Sequence, residues 1–139
     1  MADRLRKDLA IGTFANLVAK DLQKAIRMEA ADKNGFVVCV TCGKIDHYKK
    51  MHAGHFIPGR RMAMLFVEEN VHPQCNHCNT FLSGNVTEYE RFIVRAYGVE
   101  VLESLRKLRH LQHKYTREEL ADMRDGYKAR IKRQEKRLV

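Results

Sequence analysis

Four cysteines stand in two pairs, Cys39-Val-Thr-Cys42 and Cys75-Asn-His-Cys78. Each Cys-x-x-Cys places two thiolates on a tight knuckle, and two knuckles supply the tetrahedral sulfur shell that zinc prefers. Gly43 suits such a turn because glycine tolerates positive φ. A disulfide pairing is disfavoured, since the N-terminal Met-Ala-Asp-Arg-Leu-Arg-Lys has no apolar export segment and the cytosol keeps thiols reduced. A redox Cys-x-x-Cys is expected singly beside a βαβ pattern, which is missing. A zinc ion closed off by four thiolates holds a fold together and does no chemistry of its own. His72, three residues before Cys75, and His77, inside the second pair, are alternative ligands in place of a thiol.

Between and after the pairs lie His52-Ala-Gly-His55-Phe-Ile-Pro-Gly-Arg60-Arg61 and Glu69-Asn70-Val-His-Pro-Gln-Cys75-Asn-His-Cys78-Asn79. This order resembles the HNH, or His-Me finger, nuclease motif set into a zinc-bound treble clef. The Cys-x-x-Cys before the histidine and the Cys-x-x-Cys-Asn after it are similar to phage endonuclease VII, a resolver of branched DNA. With Ser83-Gly-Asn85, Tyr89 and Tyr97-Gly98 added, the segment of roughly residues 36–130 resembles the NinG/Rap recombination proteins of lambdoid phages.

The resemblance implies a metal-dependent, structure-specific endonuclease that cuts Holliday junctions and other branched DNA in phage recombination, leaving 5′-phosphate and 3′-hydroxyl ends. Phosphodiester hydrolysis needs an activated water and positive charge where negative charge builds up. A neutral imidazole with a pKa of ~6.5 takes a proton at physiological pH, so His55 is the expected general base. Asn79 matches the position that supplies an amide oxygen to the catalytic Mg²⁺ or Mn²⁺, ions that favour hard oxygen donors. Asn70 matches the middle Asn, whose implied task is to pin the loop that aims the histidine. Arg60 and Arg61, with Lys49 and Lys50, are the expected phosphate contacts.

One position departs from many HNH enzymes: Gly54 stands where an Asp ligand directly precedes the catalytic His. His52 is a candidate second ligand, although three steps along an extended strand set it on the opposite face from His55. A backbone carbonyl, a water or the substrate phosphate are further candidates. Two alternatives to junction cleavage follow: a duplex-nicking HNH nuclease, and a zinc DNA-binding module without catalysis.

The rest of the chain must position these groups. It has 139 residues, 45% apolar and 31% charged, with no Trp. The formal charge is +9, which favours polyanionic partners. The longest apolar stretches, Phe36–Val40 and Met62–Val67, fall far short of the ~20 residues of a membrane span. A cytoplasmic protein, in the host bacterium if phage-encoded, is expected.

The fold class expected is α+β: a small zinc-bound treble-clef ββα core with an N-terminal helix and a C-terminal helical arm. The divisions are an N-terminal helix over 1–34, a nuclease finger over 35–98 and a basic arm over 99–139. Phe14, Val18, Leu22 and Ile26 recur every four residues, and Leu5 and Leu9 extend the stripe to give a helix over 3–30. Phe36–Val40 and His52–Ile57 read as strands, Lys44–Met51 as a polar loop, and Leu65–Val67 as a short apolar piece. Capping-box patterns at Thr87-x-x-Glu90 and Thr116-x-x-Glu119 open helices, Gly98 closes the first, and Val99–Leu111 continues as another. Residues 105–139 carry 12 Lys/Arg against 5 Asp/Glu. The apolar seam of this last helix, through Leu120, Met123, Tyr127, Ile131 and Leu138, needs a surface to cover it. A four-way junction is nearly two-fold symmetric, which makes a homodimer the expected assembly and the seam its natural contact.

Overall fold

The computed structural model describes residues 3–58 and 62–139. The chain opens with helix α1 (Ile11–Ala30), followed by strands β1 (Phe36–Val38) and β2 (Ile45–His47). Strand β3 (His52–His55), the single turn α2 (Met62–Leu65) and strand β4 (Val71–Gln74) come next. A wide turn over His77–Phe81 leads to α3 (Val86–Tyr97), α4 (Val99–Leu108) and α5 (Arg117–Arg137). This is an α+β arrangement with two small antiparallel sheets, β1–β2 and β3–β4.

Helix α1 begins at Ile11, eight residues later than the apolar stripe suggests. The Asp3 carboxylate accepts from the Leu5 and Lys7 amides, and Arg6 takes φ 47°, so residues 3–9 form capped turns. Leu5 and Leu9 still pack on the core next to Phe14, Ala15, Val18 and Leu22. They share the apolar face without sharing the helix. Leu65, Phe66, Leu120, Ala121 and Tyr127 complete this cluster, and fully burying each large side chain contributes roughly 1.5–3 kcal/mol.

Helix α5 lies along α1 in the same direction. Arg117 near its start donates to the carbonyls of Leu5, Arg6 and Leu9, while Arg137 at its end donates to those of Met28 and Ala31. Between them Arg124 pairs with Asp21, and Arg130 bridges Glu29 and Glu68. The seam read as a dimer contact is therefore covered by α1 of the same chain. Four of the arginines of α5 are engaged internally; Lys128, Lys132, Arg133 and Lys136 stay exposed.

Four other local expectations change. The Thr87-x-x-Glu90 box does not form: α3 starts at Val86 behind Asn85, which is left-handed at φ 47°, and Glu90 pairs with Arg106 of α4 instead. The stretch Lys44–Met51 is not all loop, since Ile45–His47 pairs with β1 and Tyr48–Lys50 makes one tight turn. The strand from His52 stops at His55, and α4 stops at Leu108. The box at Thr116–Glu119 is present with both reciprocal hydrogen bonds, and Gly98, at φ 99°, joins α3 to α4. A second cluster of Phe56, Ile57, Met64, Tyr89, Ile93, Leu102 and Leu105 packs these helices beneath the β3–β4 hairpin.

Candidate metal centres on the hairpin

The Sγ atoms of Cys39, Cys42, Cys75 and Cys78 all lie within 4.8 Å of one another, a cluster compatible with zinc. Cys39 directly follows β1, Cys75 directly follows β4, and Cys78 lies in the wide turn. The sulfurs are also hydrogen-bonded from outside: Cys78 N–H donates to Cys75 Sγ at 3.4 Å, Asn85 Nδ2 donates to Cys78 Sγ at 3.5 Å, and Thr41 Oγ1 stands 3.3 Å from Cys39 Sγ. Burial opposes the Cys39 thiolate, but the Thr41 hydroxyl and several amides overcome it and bring the pKa down to about 6. Burial instead pushes Cys42 up to about 12, with the neighbouring thiols adding to the rise.

The two histidines near the second pair are placed elsewhere. His77 is exposed and stacks on Phe81. His72 is buried, with Nδ1 3.0 Å from Tyr89 Oη and Nε2 2.7 Å from Tyr97 Oη. Tyr89 in turn donates to the Gly54 carbonyl at 2.7 Å. One set of donors satisfies this chain: Tyr97 to His72 Nε2, His72 Nδ1–H to Tyr89, Tyr89 to Gly54. Burial pushes His72 down to about 4, so its ring is neutral and the backbone before His55 is fixed.

Strand alternation and register place His52, Gly54, His72 and Gln74 on one face of the hairpin and His55 on the other. On the first face Asn79 Nδ2 lies 2.9 Å from His52 Nδ1. The structure thus joins Asn79 to His52 through a hydrogen bond that occupies the nitrogen of each. His55 closes β3; its Nε2 is buried without a hydrogen-bond partner among the described residues, and burial lowers its pKa below 6.5. Such a ring is neutral at physiological pH and open to a proton.

Asn70 is fully buried. Its Oδ1 accepts from Ile57 N and its Nδ2 donates to Ile57 O, both at 2.8 Å, tying down the segment just after His55. Lys49 and Lys50 are exposed on the turn that leads into β3. Arg60 and Arg61 lie outside the described residues.

Sequence reasoning passes over four residues that shape this site. Gln74, Tyr89 and Thr41 are buried polar groups on or against the hairpin. Arg27 of α1 donates to the Met51 carbonyl at 3.2 Å, directly before His52.

Comparison with known proteins places this arrangement. The family model described as Bacteriophage Lambda NinG protein matches residues 2–137. Protein ninG of Salmonella phage P22 is 26% identical over 114 residues, which are 81% of this chain and 55% of the relative. Protein ninG of Escherichia phage lambda is 27% identical over 114 residues, 81% of this chain and 55% of the relative. The counterpart in Escherichia phage 933W is 27% identical over 114 residues, with shares of 81% and 56%. The chain spans about half the length of the curated relatives it matches. No solved structure matches.

Proposed function

The chain belongs to the NinG family of bacteriophage proteins, and from that premise we propose that it is a metal-dependent endonuclease that cuts Holliday junctions and other branched DNA. The observation that carries the reading is His55: a buried imidazole, neutral at physiological pH, with Nε2 unmatched by any donor or acceptor among the described residues. Together with the hairpin β3–β4 and the turn bearing Asn79, it supports a His-Me finger built on a zinc-bound treble clef.

His55 accepts the proton of the attacking water at Nε2. Asn70 positions it by holding Ile57, and the Tyr97–His72–Tyr89–Gly54 chain holds the strand on its other side. Asn79, oriented by His52, presents an amide oxygen to Mg²⁺ or Mn²⁺, hard cations that accept such a donor. When bound, the ion supplies positive charge for the phosphate and the leaving oxygen. Lys49 and Lys50, with Arg60 and Arg61, position the DNA backbone. The four-thiolate zinc holds the hairpin on the helices and takes no part in the chemistry. A homodimer presents two such sites to the two opposed strands of a junction.

The test is cleavage of a labelled four-way junction against a matched linear duplex with Mg²⁺ or Mn²⁺. Paired cuts near the branch point are expected, with His55→Ala slower by about 10²–10⁴-fold at unchanged zinc content and junction affinity. Equal cutting of the linear duplex would replace the junction reading with a duplex-nicking one. Binding without cutting under either ion would leave a zinc DNA-binding module.

A further inference from the structure

Two carboxamides meet beside Gly54 with their nitrogens engaged and both oxygens close to the position a Cβ would take there. Gln74 is 0% exposed and pairs with His52 across the hairpin. Its Nε2 donates to the Gly84 carbonyl at 2.9 Å and to Thr41 Oγ1 at 3.1 Å. A main-chain carbonyl only accepts, so the amide has one orientation and Oε1 points away from Gly84. That buried oxygen has no hydrogen-bond partner among the described residues. Native proteins seldom leave such an acceptor bare, and a place for a bound ion is one of the accepted reasons.

The second oxygen is close by. A Cβ on Gly54 would collide with Gln74 Oε1 and stand 3.1 Å from Asn79 Oδ1. His52 engages the nitrogen of Asn79, leaving Oδ1 on the Gly54 side. Glycine at this position is therefore a steric requirement of Gln74: any side chain there displaces the glutamine oxygen.

We propose that Gln74 Oε1 and Asn79 Oδ1 together ligate the divalent, oxygen-seeking cation, Gln74 taking the role of the acidic ligand that Gly54 does not supply. The assignment deepens the nuclease reading above and rests on it. Amide oxygens are ordinary ligands for hard cations, but both are uncharged. The ion's charge is then balanced chiefly by the DNA phosphate, so cation and DNA bind cooperatively and each raises the affinity of the other by the same factor.

The probe is Mn²⁺, followed by the loss of its free paramagnetic resonance signal. The full-length chain carrying His55→Ala is used so that a four-way junction stays intact. Mn²⁺ is expected to bind at least tenfold more tightly with the junction than without it. Gln74→Met, which keeps length and removes the oxygen, is expected to weaken Mn²⁺ binding at least tenfold at unchanged zinc content. Gln74→Glu, which adds a charge at the same place, is expected to tighten Mn²⁺ binding to the DNA-free chain about tenfold. If Gln74→Met binds Mn²⁺ like its parent, the glutamine assignment is overturned while the nuclease reading stands. If Gln74→Met fails to fold, Gln74→Glu decides alone, unchanged Mn²⁺ affinity overturning the assignment. No Mn²⁺ uptake by the parent, with or without the junction, removes the divalent ion from the nuclease reading and this assignment with it.

Discussion

The α1–α5 pair and the β3–β4 hairpin are neighbours built on opposite principles. The helix pair is closed by an apolar seam and flanked by arginines that each find a carboxylate or a carbonyl. The hairpin buries Asn70, His72 and Gln74 in its interior. Among the described residues, three buried side-chain polar atoms lack a partner: Arg27 Nε, His55 Nε2 and Gln74 Oε1. Two belong to the hairpin, and the third reaches it from α1 through Met51. Polar groups are satisfied in the helix pair and left open in the hairpin. The hairpin holds its shape through cysteines and a tyrosine chain, which leaves its open atoms free for other partners.

The largest effect should come from removing zinc by chelation or by Cys78→Ser. Structural zinc is worth on the order of 10 kcal/mol in zinc-finger peptides, and its loss is felt first by the segment it ties. Amide hydrogen exchange is expected to show protection lost from β1 to β4 while α1 and α5 keep theirs. Equal loss in both regions would mean that they fold as one unit and that the contrast is only chemical.

Acid should act on the hairpin by a smaller amount. His72 has a folded pKa of about 4 against an unfolded value of ~6.5, so the unfolded chain binds the proton first. The stability this contributes is complete above pH ~6.5 and is lost as pH falls towards 4, for a total of about 3 kcal/mol. Denaturant titrations across that window should show His72→Phe starting from a lower baseline and losing less than its parent. Parallel slopes for the two chains would sink the idea.

The smallest effect belongs to the helix pair. Thr116→Ala removes the hydroxyl that accepts from the Glu119 amide at 3.1 Å, and a lost N-cap typically costs about 1 kcal/mol. A shifted denaturant midpoint with unchanged zinc content and DNA affinity is expected. A change in junction affinity would show that the helix pair is coupled to the site after all.

The sequence makes parts of this contrast visible and hides others for physical reasons. The cysteine spacing and the Thr116–Glu119 box can be read directly, because each is a local signal whose partners are a few residues away. The start of α1 is misread because Leu5 and Leu9 keep the apolar spacing from inside a turn that Asp3 caps. The box at Thr87 fails because α3 already starts at Val86, which puts Thr87 inside its first turn, and Glu90 pairs instead with Arg106, visible only once α4 is packed. Strand β4 gives no apolar pattern at all, since Val71-His72-Pro73-Gln74 is buried through polar contacts made from distant residues. Asn79 can be placed by motif, whereas Gln74 emerges only from the crowding at Gly54.

The arginines of α5 have one more effect. Arg117, Arg124, Arg130 and Arg137 are spaced by seven, six and seven residues, close to the two-turn repeat that keeps one stripe of a helix facing a neighbour. An apolar seam of similar side chains tolerates sliding by two turns or a reversal of direction. The ladder does not: a two-turn slip takes Arg130 from Glu29 and Glu68 and sends Arg137 beyond the last carbonyls of α1. Apolar contacts thus make the helices adhere, while the guanidinium groups select a single register and polarity for the pair.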